Sequence, residues 1–331
     1  LCPQAIWTHG HFDRYREVSA QVMAILADET PRVERVSIDE AFIDITPGRF
    51  APEDPLLVAR RISDRVAGLG VTCSIGVGCN KTVAKIASER DKPFGLTIVR
   101  PGTEQRFLAA LPVSAMSGIG RSAEERLRRM RIYTLGELSR APESTLASIF
   151  GVNGEHMRQR ALGLEISEVT SLDEEREVKS VSNERTFAKD LTERGDIEAA
   201  IALLGESVGR RLRRQGLTGA TVTLKLKYSY GSGRTAQRRL PHPTDDENIF
   251  VAVALDLLDN IWQEGMHVRL AGIGMSDFDH RGGIQTDLFC EIDDRGAQSS
   301  DRRDLSVAID AVRDKFGDTA LSFGRQSRFN D

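Results

Sequence analysis

Apolar residues at Tyr15, Val18, Val22, Ile25 and Leu26 recur at the spacing of one helical face, predicting a helix over 11–27. Two short runs rich in Val, Ile and Phe follow, 33–38 and 41–45, and read as strands on either side of Asp39-Glu40. Helical periodicity returns over 56–67. A strand over 71–77, a helix over 80–88 capped by Asn80, and a strand over 96–99 complete the first stretch. Strands alternating with helices predict an α/β or α+β unit ending near Leu111-Pro112. From 113 to 164 the strand patterns stop, and short helices are broken by Gly118, Gly120, Gly136, Pro142, Gly151 and Gly154. Residues 166–177, rich in Ser and acids, read as an exposed linker.

A second alternation begins at 178. It predicts a strand (178–187), a helix (196–214), two strands (220–230 and 234–240), a helix (246–263) and a strand (266–276). The order βαββαβ is ferredoxin-like and makes one sheet with helices on one face. Past 277 the chain is rich in Gly and Asp, and a last amphipathic helix carries Leu305, Ile309, Val312 and Phe316. The fold class is therefore α+β and multidomain, divided as 1–112, 113–165, a linker 166–177, 178–277 and a tail 278–331.

The 331 residues suit two or three domains with real cores, and 40% apolar with 28% charged residues is an ordinary globular balance. No stretch nears the roughly 18 uninterrupted apolar residues of a membrane span; the most apolar run, 250–258, is cut by Asp256. Cys2, Cys73, Cys79 and Cys290 are scattered, which suits a reducing compartment better than a disulfide framework or a zinc ribbon. No basic segment leading into an apolar core marks a signal peptide, and the opening Leu1 suggests a chain that begins mid-way. The formal charge of −4, taken alone, argues against a polyanion partner. Its distribution argues the other way: 210–239 holds Arg210, Arg211, Arg213, Arg214, Lys225, Lys227, Arg234, Arg238 and Arg239 and no acid. That window is either a solvated helix end with a hairpin or a phosphate-binding face, which Arg185 would join.

The sharpest chemical feature is Ser37-Ile38-Asp39-Glu40-Ala41-Phe42, two acids in series between strands. Such a pair is either a solvated hairpin tip or a carboxylate site for a hard cation such as Mg²⁺. Gly76-Val77-Gly78-Cys79-Asn80-Lys81-Thr82 is not a Walker loop, because Asn80 stands where Gly must precede Lys-Thr. What remains is a strand–turn–helix with Lys81 and Lys85, able to attract phosphate at the helix N-terminus. Asp91-Lys92-Pro93-Phe94-Gly95 follows, where Pro93 stops the helix and fixes Lys92 on a rigid loop. Met116-Ser117-Gly118-Ile119-Gly120 with Ser122 and Glu125 reads as a Gly turn into a capping box. It is either a plain helix–helix turn or a cradle of backbone N–H groups for a DNA phosphate. His9-Gly10-His11 has no third ligand in view and reads as surface.

Taken in order, Ser37–Phe42, Ser74-Ile75-Gly76, Asn80-Lys81, Lys85–Ser88 and Lys92-Pro93-x-Gly95 resemble the palm of a Y-family translesion DNA polymerase. The resemblance runs from about residue 5 to 289. It implies a partial palm with a ferredoxin-like sheet, a small all-α thumb with a helix-hairpin-helix at Gly118 and Gly120, and a βαββαβ little finger. It implies that Asp39 and Glu40 hold two Mg²⁺ ions, with Glu40 nearest the primer 3′-hydroxyl, and that Lys92 contacts the triphosphate of the incoming nucleotide. In the little finger, Lys225, Arg234, Arg238 and Arg239, with Arg185, would hold DNA. Gln285-Thr286-Asp287-Leu288-Phe289 is similar to the peptide by which this family docks on the sliding clamp, placing Gln285, Leu288 and Phe289 in that contact. The implied partners are primer–template DNA, deoxynucleoside triphosphates and the β clamp, for a cytoplasmic monomer without a membrane.

The family opens with a strand bearing its first metal-binding Asp, then an aromatic steric gate and fingers, and no segment here resembles them. Two ions about 3.5–4 Å apart need bridging carboxylates, and Asp39 with Glu40 fall short of that. The expectation for the chain as it stands is a partial palm that binds primer–template and incorporates little or nothing. The alternative is a catalytically inactive, clamp-tethered DNA-binding relative. An in-frame Asp-x-Asp-x-Phe-Phe-like segment upstream of the Leu1 codon would separate the two.

Overall fold

A computed structural model describes residues 2–49, 53–171, 174, 177–278, 295–317 and 320–321. The chain forms two compact units, Leu1–Glu175 and Arg176–Asp331.

The first unit opens with α1 (Phe12–Ala27), then β1 (Val33–Arg35) and β2 (Ala41–Ile43), paired antiparallel with Arg35 opposite Ala41. Helix α2 (Pro55–Ala67) starts where Asp54 accepts a hydrogen bond from the Leu56 N–H at 2.8 Å, with Pro55 in the first turn. Strands β3 (Ile75–Val77) and β4 (Leu96–Ile98) pair in parallel, linked by α3 (Lys81–Arg90). A small core joins Ile25 of α1 to Val58, Ile62 and Val66 of α2, with Ile43 and Ile75 packed against it. The two strand pairs are not hydrogen-bonded to each other among the described residues. Strand 33–38 is shorter than its sequence pattern, because Val36 to Glu40 turn, and Val36 and Ile38 stand exposed. Strand 71–77 is likewise confined to its last three residues.

Short helices follow: α4 (Glu104–Ala109), α5 (Arg121–Arg129), α6 (Leu135–Arg140), α7 (Glu143–Phe150) and α8 (Gly154–Leu162). Their core includes Leu108, Met116, Leu127, Leu135, Leu138 and Leu146, and it also takes in Val83, Ile86 and Ala87 of α3. Apolar packing is thus continuous across residue 112. A capping box does occur in this region, but at α6, where Thr134 accepts from the Glu137 N–H and Glu137 accepts from the Thr134 N–H. Helix α5 begins at Arg121 with Gly120 as its cap, so Ser122 lies inside the helix and the expected box with Glu125 is absent.

The second unit has the order β5 (Ser180–Leu191), α9 (Arg194–Gln215), β6 (Gly219–Tyr228), β7 (Gly233–Thr244), α10 (Glu247–Ile261) and β8 (Val268–Phe278). Its sheet is antiparallel and ordered β5-β8-β6-β7, which keeps the expected βαββαβ element order but not the ferredoxin-like strand order β8-β5-β7-β6, because β8 inserts between β5 and β6. Val222, Leu224 and Leu226 of β6 and Ala271, Ile273 and Met275 of β8 are buried beneath α9 and α10. The alternate residues face the other side. A final helix, α11 (Arg295–Phe316), follows.

Candidate active site and nucleic-acid interface

Asp39 and Glu40 sit at the connection of β1 to β2, and the chain ties that connection down. The N–H groups of Val36 and Ser37 both donate to the Glu40 carbonyl, at 2.9 and 3.1 Å. Ser37 Oγ donates to Asp39 Oδ1 at 2.5 Å and accepts from the Asp39 N–H at 3.3 Å. From α1, the Ser19 hydroxyl donates to the Ile38 carbonyl at 2.5 Å. The two acids therefore stand on a fixed turn rather than a loose tip.

Glu40 accepts a hydrogen bond from Lys85 Nζ of α3. Lys85 also reaches Glu89 at 2.9 Å, and Glu89 receives Lys92 at 2.7 Å. The result is an alternating line, Glu40–Lys85–Glu89–Lys92, joining two of the sequence-predicted residues through two others. Burial works against the Lys85 ammonium, but the hydrogen bonds it donates to Glu40 and Glu89 outweigh it and hold its pKa above the ordinary value. Glu89 is held below the usual carboxylate range by its hydrogen bonds to Lys92 and then Lys85.

Two glycines explain why the motif needs them. A Cβ on Gly76 would lie 2.0 Å from the Ala84 carbonyl oxygen and 2.3 Å from the Ser88 nitrogen. A Cβ on Gly95 would lie 2.2 Å from the Asp91 carbonyl oxygen. Strand β3 and the loop into β4 thus press directly on the backbone of α3 and just beyond its end.

The N-terminus of α3 is already satisfied. Asn80 caps it by accepting from the Val83 N–H at 3.0 Å, and Glu165 accepts from the Thr82 N–H at 3.1 Å. The sequence reading of this end as a phosphate site is corrected: a carboxylate occupies it. Lys81 is paired with Glu34 at 2.5 Å. Next to it, the Cys79 thiol is pushed up to about 11 by burial and by Glu104.

At the glycine turn, Gly118 has φ +94, a conformation that favours glycine, and Gly120 caps α5 without a side-chain hydrogen bond. Its first N–H groups are left for an outside acceptor. Arg160 of α8 clamps this turn, donating to the Ser117 carbonyl and to Ser117 Oγ, both at 2.8 Å. Sequence reasoning missed Arg160, for no periodicity or motif marks an arginine that reaches back 43 residues.

In the second unit the register replaces the expected single basic face with two. Lys225, Lys227 and Arg239 have the parity of Thr221 and Thr223, on the side away from the helices. There Ser180, Ser182, Thr223, Gln237, Gly272 and Gly274 line a shallow depression of about 260 Å³. Arg234 and Arg238 pair with Leu226 and Val222 and so share the helix-side parity; Arg238 meets Asp256 of α10 at 2.9 Å. Arg185 is opposite Ala271 and lies over Phe187, so it does not join Lys225. Nor is the window uncompensated. Lys225 pairs with Glu184 at 2.8 Å, Arg210 with Asp314 at 2.6 Å and Arg213 with Glu247 at 2.5 Å, while Arg214 also reaches Asp314. Gln285, Leu288 and Phe289 lie outside the described residues.

Among the described residues, no group of three or more His, Cys, Asp and Glu is placed to hold a metal, His9 and His11 included. Asp39 and Glu40 nevertheless match Mg²⁺ in kind, which is commonly held by one or two carboxylates together with substrate phosphates and water. No helix is long and apolar enough to cross a membrane among the described residues.

Comparison with known proteins accords with this geometry. Residues 1–89 match the impB/mucB/samB family and residues 178–288 match its C-terminal domain. DNA polymerase IV of Lactococcus lactis subsp. cremoris (strain MG1363) is 36% identical over 280 residues, covering 84% of this chain and 76% of that protein. DNA polymerase IV of Dehalococcoides mccartyi (strain CBDB1) is 34% identical over 333 residues, covering 100% of this chain and 83% of that protein. A solved Y-family DNA polymerase chimera of Dbh and Dpo4 matches with TM-score 0.69 at 23% identity, over 84% of this chain and 80% of that one. The chain belongs to the Y family of DNA polymerases, in the group whose curated members are DNA polymerase IV. The non-enzymatic alternative is not favoured.

Proposed function

We propose that this protein is a DNA-directed DNA polymerase that copies damaged templates, with Asp39 and Glu40 as carboxylates for two Mg²⁺ ions. The observation that carries this reading is the line Glu40–Lys85–Glu89–Lys92, which begins on a fixed turn at Glu40 and ends on the Lys92 cation. In the reaction the primer 3′-oxygen forms a bond to the α-phosphate of the nucleotide, and the bond to pyrophosphate breaks. The ions, when bound, favour the 3′-oxygen as nucleophile and neutralise charge developing on the phosphates. Lys92 exchanges its bond to Glu89 for one to the triphosphate, an anion of higher charge. Primer extension by the complete gene product with Mg²⁺ and deoxynucleoside triphosphates, on intact and lesion-bearing templates, tests the assignment; no extension would overturn it.

The residues fall into palm (1–112), thumb (113–165) and little finger (178–277) roles. The open N–H groups at Gly118 and Gly120 are proposed to hold a backbone phosphate. Lys225, Lys227 and Arg239 are proposed to hold duplex DNA on the open sheet face, where small and hydroxylated residues let a phosphate backbone approach. Each phosphate contact contributes about −0.9 to the slope of log affinity against log salt. Arg239→Glu is therefore expected to flatten the slope for primer–template binding by about 0.9. Arg238→Glu, on the other parity, is expected to leave it unchanged. Equal effects would refute the two-face assignment.

A tether to the sliding clamp is proposed for Gln285, Leu288 and Phe289. Deleting 285–289 is expected to abolish clamp binding in a pull-down while leaving primer–template affinity unchanged. The protein is proposed to act as a cytoplasmic monomer; among the described residues, Cys2, Cys73 and Cys79 are free thiols, as a reducing compartment allows.

A further inference from the structure

Helix α11 is attached in an unusual way. Over residues 305–316 its buried side chains are Ser306 and Arg313, and between them lies Asp310, largely buried. Of its apolar residues, Leu305 and Phe316 are left outside, 60% and 67% exposed, while Ile309 and Val312 are half-buried. The row Ser306, Asp310 and Arg313 has the i, i+4, i+7 spacing of one helical face, so the contact face is polar. The stripe Leu305, Ile309, Val312 and Phe316 that the sequence offers as a core face docks only through its half-buried middle, Ile309 and Val312.

What the polar face meets is charge. Asp310 receives Arg213 at 2.7 Å and lies 3.9 Å from Arg210. Asp314 receives Arg210 at 2.6 Å and also Arg214. Those arginines, at i, i+3 and i+4, share one side of α9. Arg313 in turn pairs with Glu206 of α9. Ion pairs of this kind contribute little net stability, because desolvation offsets most of the Coulomb gain. Over residues 305–316 the apolar contribution is limited to the half-buried Ile309 and Val312, so the helix detaches at modest cost.

We propose that α11 is a removable anionic cover over a phosphate-binding arginine row, in which Asp310 and Asp314 stand where nucleic-acid phosphates bind once the helix is displaced. Guanidinium binds phosphate and carboxylate through the same paired N–H geometry, so DNA replaces the cover like for like. The row is distinct from the open sheet face, since Arg210, Arg213 and Arg214 belong to α9, which packs on the opposite side of the sheet. The proposal rests on the reading that this chain binds primer–template DNA.

The test is Asp310→Asn/Asp314→Asn in the full chain, with primer–template binding measured by anisotropy at several salt concentrations. Removing the carboxylates of Asp310 and Asp314 from Arg210 and Arg214 is expected to steepen the log–log slope by about 1.8, at 0.9 for each new contact. Adding Arg210→Ala/Arg214→Ala, which restores the net charge, is expected to restore the original slope. An unchanged slope in the folded double variant overturns the proposal, as does a steeper slope that survives the two alanines. Hydrogen exchange on the unmodified protein gives a second readout: DNA is expected to expose the α11 amides, and equal protection with and without DNA overturns the cover. If the unmodified protein does not bind primer–template at all, the polymerase reading fails instead.

Discussion

In the complete gene product, Glu40→Gln is expected to lower Mg²⁺-dependent nucleotide incorporation at least about a thousandfold, while primer–template affinity stays within about twofold. A Lewis-acid contact to transferring phosphate is worth several kcal/mol of barrier, and about 4 kcal/mol corresponds to a factor near 10³. The substitution keeps the side-chain volume and an acceptor for Lys85, so the turn set by Val36, Ser37 and Ser19 survives. What is lost is the negative charge that a divalent ion needs. Single-nucleotide incorporation under enzyme excess reads the chemical step directly. Incorporation within tenfold of the unmodified protein would remove Glu40 from the catalytic role.

Gly76→Ala carries the largest expected cost to stability. Its new methyl would meet backbone on two sides, the Ala84 carbonyl at 2.0 Å and the Ser88 nitrogen at 2.3 Å. No rotamer relieves a clash at Cβ, so β3 and α3 must separate. Overpacking a well-filled site costs typically 1–3 kcal/mol, and a backbone-to-backbone clash belongs at or above the upper end, at least about 3 kcal/mol. The fair comparison is Gly102→Ala, where φ is +84 but nothing lies within 4 Å of the new atom. There the cost is the left-handed conformation alone, about 1–2 kcal/mol. Urea denaturation of both variants decides the matter. Equal, small losses would mean that β3 and α3 are not in contact as described.

Much of the local structure of the first unit is legible because its signals are local. Asn80 is a cap in the sequence pattern and a cap in the structure, since capping spans only three residues. The acids at 39 and 40 fall between two strands as expected, because the apolar runs flanking them leave no other place for a turn. Short elements were harder. Helix α4 is six residues, barely more than one turn, too few for a period to declare itself. The capping box was assigned to Ser122 and Glu125 when Thr134 and Glu137 carry the same spacing, and nothing local says which serine or threonine precedes the helix. The basic window misled for a different reason. Its counter-charges come from Glu184, Glu247, Asp256, Asp310 and Asp314, all outside 210–239 and up to 104 residues away along the chain. Which arginines share a face depends on register, as Arg238 and Arg239 show by pointing to opposite sides of one strand.

The close contacts at Gly76 and Gly95 also bear on speed. Backbone resting on backbone gives α3 no room to slide or roll, so Lys85 and the loop bearing Lys92 keep their places before any substrate arrives. On the proposed role of Lys92, its positive charge is handed over from the neighbouring Glu89 rather than gathered from solvent, and part of the reorganisation energy that water would demand around a triphosphate is avoided. On that reading, two missing methyl groups act on the height of a reaction barrier as well as on the packing of a helix.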